Sequence, residues 1–150
     1  MPATTNHLNK VMDYLFGSCN ATYAAPTTYY VALLLNGATI DANGAIGGNG
    51  EVSATSTNYA RVAVTNNKVN FTLADGGILK NGANIVFPTA DANWSEGETK
   101  RIKYVAIGNA ATRGTNVLYY AELTPQREVL QGTTVYFAPN DITFTMTTSV

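Results

Sequence analysis

The chain has 150 residues and 15.9 kDa, with nine basic against ten acidic residues, one histidine and one cysteine. That is the size of one domain with a real core. The charged share of 13% is roughly half the usual one, so no electrostatic footprint for nucleic acid or an anionic membrane is expected. One cysteine and one histidine exclude an internal disulfide, a cysteine-based zinc site and a multi-histidine metal site, and no cofactor or metal is expected.

The N-terminus lacks a basic region followed by an apolar stretch, so no secretory leader is expected. Leu8, Val11, Met12, Leu15 and Phe16 recur at intervals of three and four, which predicts a helix over about residues 6–16. Thr4, Thr5 or Asn6 can cap its start, and Gly17 is a natural stop. His7 reads as a surface or helix-start histidine, because nothing nearby in sequence supplies the orienting carboxylate of a catalytic base. A helix this short is marginal alone. Its stripe must dock on the chain's own sheet or on a neighbour, which makes Leu8, Val11, Leu15 and Phe16 candidate partner-interface residues. Cys19, just beyond, has no histidine or lysine near in sequence to lower its pKa and reads as a half-buried, inert thiol.

Strand signals dominate from Thr27 onward. Thr27–Leu35 is aromatic and β-branched with almost no polar break, as a strand buried on both faces would be. Its apolar run from Tyr29 to Leu35 is far short of the twenty or so residues a bilayer requires. Gly37 to Gly50 is glycine-rich but lacks the Lys-Ser/Thr of a phosphate-binding loop and opens no helix, so it reads as a flexible contact loop. Asn43, Ile46 and Asn49 are its candidate contact residues. Asp41, Asn43 and Asn49 offer too few acids for a calcium site.

Strands are expected at Tyr59–Thr65, Lys68–Leu73, Asn84–Phe87 and Arg101–Gly108, the last half-exposed at its start and doubly buried at its end. Further strands are expected at Asn116–Leu123, Arg127–Leu130, Thr133–Ala138 and Asp141–Thr148, with Gln131-Gly132 as a hairpin turn. Glu96 and Glu98 are the only close acid pair and read as a solvated turn rather than a glycosidase dyad. Trp94 reads as a core residue, with a sugar-stacking platform as the alternative. The pairs Tyr29-Tyr30 and Tyr119-Tyr120 each send one ring to either side of a strand, so Tyr30 and Tyr120 join the candidate interface.

About eight short strands broken by Gly, Asn, Asp and Pro imply a mainly β chain: one antiparallel β-sandwich or jelly roll over residues 1–150, with one N-terminal helix. The order Asp13–Gly17, Tyr29–Leu34, Glu51–Ser53, Asn58–Val64, Asn84–Ala90 with Trp94, Val105–Ile107, Leu118–Pro125 and Phe137–Ile142 resembles a family of small tailed-bacteriophage virion proteins. Members are variously labelled tail fibre, minor tail or head decoration protein. The resemblance implies architecture and virion membership and supplies no catalytic residue, so no enzymatic activity is expected.

Twenty-one threonines, sixteen asparagines and nine tyrosines on so lightly charged a chain suit wide protein contact. The leading expectation is a capsid decoration protein, assembled in the host cytoplasm, that binds the major capsid protein on the outer head surface as a homotrimer. The alternative is a tail-associated fibre or adaptor protein whose partners are tail proteins, fibre proteins or a host surface glycan.

Overall fold

The computed structural model describes residues 1–16, 24–48, 50–113 and 116–145. One helix, α1 (Thr5–Phe16), precedes the β structure. A four-stranded antiparallel sheet is built from β1 (Thr28–Leu35), β4 (Val62–Thr65), β7 (Ile102–Gly108) and β8 (Val117–Arg127), in the order β4-β1-β7-β8. Three two-stranded ribbons surround it: β2 (Ala38–Ile40) with β3 (Ile46–Gly48), β5 (Ile78–Lys80) with β10 (Thr143–Thr145), and β6 (Ile85–Val86) with β9 (Tyr136–Phe137). The chain is mainly β and sandwich-like, as the turn spacing predicts.

The unbroken apolar run of β1 has a simple cause, because its two faces serve two cores. Val31 and Leu33 belong to the larger core, while Ala32 and Leu34 belong to a smaller one with Ile46, Ala106 and Val117. A strand covered on both sides has no polar positions to alternate with. β7 follows the same rule, half-buried at Lys103 and Tyr104 and buried from Val105 to Gly108. In the larger core, Phe87 and Trp94 pack around Tyr59, the Tyr59 and Trp94 rings meeting edge-on at 5.3 Å. Trp94 is therefore a core residue, and its ring face is not offered to a sugar.

Several expected elements take a different form. Lys68–Leu73 is not a strand. Asn67 Oδ1 accepts the N–H groups of Val69 and Asn70, Asn67 O accepts that of Phe71, and the chain coils into a turn that exposes Val69 and Leu73. A local asparagine cap outweighs the alternation there. The strand of this region is β5, which pairs with β10.

Where a flexible loop is expected over Gly37 to Gly50, residues 37–48 form a hairpin docked on the body. Asp41 Oδ1 accepts the N–H groups of Asn43 and Ala45 at 2.9 Å and closes the turn. Gly44 follows at φ +82°, and a Cβ there would lie 2.2 Å from Val117 O, so only glycine fits. Gln131-Gly132 is a turn, but not between partners in a hairpin. Phe87, Ala90 and Gly132 exchange backbone hydrogen bonds with Val135, Thr133 and Ala90, so the chain after the turn runs along residues 85–90. Arg127–Leu130 is not a separate strand, since β8 continues to Arg127 and Val129 bridges Ser95. The expected stop at Gly17, the setting of Cys19 and the end of the last strand beyond Thr145 lie outside the described residues.

Candidate functional site

The first turn of α1 is tied to the body at several points. Thr4 N–H donates to Leu118 O at 2.8 Å, and Thr4 Oγ1 donates to Val117 O at 3.2 Å. The same hydroxyl accepts His7 N–H at 3.4 Å, which makes Thr4 the helix cap. Asn6 N–H donates to Ala42 O, so the β2–β3 hairpin also holds the helix start.

His7 is buried, not at the surface. Its Nε2 lies 2.7 Å from Tyr119 Oη, and the two rings meet edge-on with centroids 4.8 Å apart. Burial, and secondarily the charge of Lys10, hold its pKa below the ordinary histidine value. The sequence signal points outward because the partners, Tyr119 and the neighbouring backbone of β8, are more than a hundred residues away.

Beyond His7 every position of the helix except Val11 is exposed. Leu8 is 50% exposed, Met12 54%, Leu15 59% and Phe16 79%, with Val11 half-buried beside them. Full burial of a large apolar side chain is worth about 1.5–3 kcal/mol, and each of these forgoes half of it or more. A continuous exposed apolar stripe is the kind of surface on which partners dock. The predicted interface residues Leu8, Val11, Leu15 and Phe16 thus come together on one arm, and Met12 completes the stripe at the helical spacing.

The remaining candidates are not gathered with them. Tyr30 and Tyr120 are half-buried in the main sheet, Tyr120 edge-on to Tyr104. Asn43 is exposed in the turn of the hairpin, whereas Ile46 is buried in the smaller core and offers no surface. Asn49 lies outside the described residues.

The body's most concentrated polar chemistry is a buried ion pair. Arg61 Nε and Nη2 donate to the two carboxylate oxygens of Glu51 at 2.7 and 2.8 Å, and the side chains are 2% and 6% exposed. Arg61 Nη1 donates to Ala110 O and Asn116 Oδ1. Tyr59 Oη donates to Glu51 Oε1 and accepts Leu33 N–H, and burial together with the Glu51 charge pushes the phenol pKa far up. This network ties four distant segments of the chain together and leaves no nucleophile, base or open carboxylate. It is a structural pin.

Among the described residues, no three His, Cys, Asp or Glu side chains come together as a metal site. No helix among them is long and apolar enough to cross a membrane. Asp41, considered for calcium, spends one oxygen on its own turn. Glu96 accepts the side-chain amide of Asn93 on the surface, as a solvated turn would.

Residues 2–145 match the sequence model of a family described as podophage GP4 fiber I protein gp80. No curated protein matches the chain.

Proposed function

The chain belongs to the podophage GP4 fiber I protein family, and on that premise we propose that it is a non-enzymatic subunit of a tail-borne fibre, assembled with copies of itself through the apolar face of α1. The observation that carries this reading is the exposed stripe of Leu8, Met12, Leu15 and Phe16, next to a body whose main charged cluster is internally satisfied. Fibre building needs subunit contacts rather than a reacting group. A homotrimer joined through α1 fits that need, since three weak contacts acting together hold far better than one.

The head-decoration reading, with the major capsid protein as partner on the outer head surface, would use the same helix. The family's description as a fibre protein favours the tail. Gold labelling of a tagged copy on intact virions, viewed by electron microscopy, tests the placement. Gold on tail appendages is the expected result. Gold spread over the head would overturn the fibre reading in favour of decoration.

A further inference from the structure

Four asparagines precede a glycine in this chain: Asn36, Asn43, Asn49 and Asn81. With no Cβ on the second residue, the backbone nitrogen of such a pair can swing onto the asparagine side chain. In a folded protein that motion is set by the bonds that must open first. Asn49 lies outside the described residues, and the other three are held very differently.

Asn81 is fully buried and its amide is engaged at both ends. Its Nδ2 donates to Ala83 O and Ala138 O, and its Oδ1 accepts Ile142 N–H. Gly82 N–H donates to Asn70 O at 2.7 Å, so this pair is locked. Asn43 is exposed, but the glycine after it is held on both sides. Gly44 N–H donates to Asp41 O at 3.0 Å, and Gly44 O accepts Val117 N–H at 3.1 Å. Asn36 differs from both. It is half-buried in the turn between β1 and β2, where its backbone N–H donates to Arg101 O at 2.9 Å. Among the described residues, nothing hydrogen-bonds its side-chain amide or Gly37 N–H, and Gly37 is exposed.

We infer that Asn36 is a site of spontaneous deamidation in the folded protein, the first of these three to react. The Gly37 nitrogen loses its proton and attacks the side-chain amide carbon of Asn36. A five-membered imide closes and ammonia leaves. Water then opens the ring. Opening at the side-chain carbonyl gives aspartate, and opening at the main-chain carbonyl gives isoaspartate, with an extra methylene in the backbone. Either product exchanges a neutral amide for a carboxylate. Isoaspartate also lengthens the link from β1 to the β2–β3 hairpin, which braces α1 through Ala42 O and Asn6 N–H. The inference does not depend on the self-association proposed above.

Peptide mapping with fragmentation, on the folded chain stored for weeks in a mildly alkaline buffer, tests it. The mass shift of amide-to-acid conversion is expected at Asn36, about tenfold or more faster than at Asn43 or Asn81, where hydrogen bonds must open first. Asn36→Gln closes the larger ring far more slowly and should abolish the shift. It should also melt as its parent does, because the Asn36 side chain makes no hydrogen bond to lose. In denaturant the three sites should convert at similar rates, since each has the same pair of residues. Conversion at Asn43 or Asn81 that keeps pace with Asn36 in the folded chain would overturn the inference. So would an Asn36 that stays intact when folded but reacts when unfolded, or a lead for Asn36 that persists unchanged in denaturant.

Discussion

The Arg61 cluster and the α1 arm each hold groups that would be costly left alone, and they resolve the problem in opposite ways. Arg61 and Glu51 lie inside the body, and their charges are matched by each other, Tyr59, Asn116 and a backbone carbonyl. Leu8, Met12, Leu15 and Phe16 lie on the helix, each half or more exposed. A charge pair can be completed within a chain only by residues held at fixed distances, which a sandwich supplies. An apolar stripe on a projecting helix can be completed by any matching surface, including one on another copy. On the proposed reading, the body satisfies its costly groups within itself and the arm offers its own to a partner.

The largest effect is expected at the pin. Arg61→Ala leaves the Glu51 carboxylate buried without its partner, and breaking a buried pair in this way costs about 3–5 kcal/mol. Thermal unfolding should drop by about 10 °C or more. A drop of only one or two degrees would show that water reaches Glu51 and that the body is less closed than the pin implies.

Next comes the hairpin that braces the arm. Gly44→Ala forces a side chain into a left-handed φ and against Val117 O, at a cost of about 2–3 kcal/mol. Because Asn6 N–H bonds to Ala42 O in the same hairpin, hydrogen exchange at the start of α1 should quicken in this variant. Unchanged exchange there would separate hairpin and arm.

These two sites also show what the sequence carries. The doubly buried β1 and β7 are legible because their burial is written in consecutive residues. The arm's stripe is legible for the same reason, as a period within twelve residues. The false strand at Lys68–Leu73 arises where one asparagine cap overrides a correct alternation. The hairpin at residues 37–48 and the burial of His7 depend on Val117 and Tyr119, far along the chain, and no local pattern announces such partners.

A smaller effect is expected at His7. Its folded pKa lies below the unfolded value of about 6.5, so the unfolded chain binds the extra proton first. The contribution of neutral His7 is fully present above that value and is lost as pH falls from about 6.5 towards the folded pKa. The protection factors of amides in the first turn of α1, corrected for the intrinsic pH dependence of exchange, should therefore fall between pH 7 and pH 5, and His7→Gln should flatten that fall. A steep profile that survives the substitution would place the sensitivity elsewhere.

The smallest effect on folding, and the sharpest contrast with the pin, is expected at the tip of the arm. Leu15→Asp with Phe16→Asp alters two exposed side chains and should change the stability of the isolated subunit by no more than about 0.5 kcal/mol. Sedimentation equilibrium of this double variant beside the unmodified chain, over a wide concentration range, tests the central claim most directly. The account predicts an oligomer for the unmodified chain and a folded monomer for the variant, with the same melting curve for both monomers. An unmodified chain that stays monomeric, or a variant that assembles as well as its parent, would contradict it.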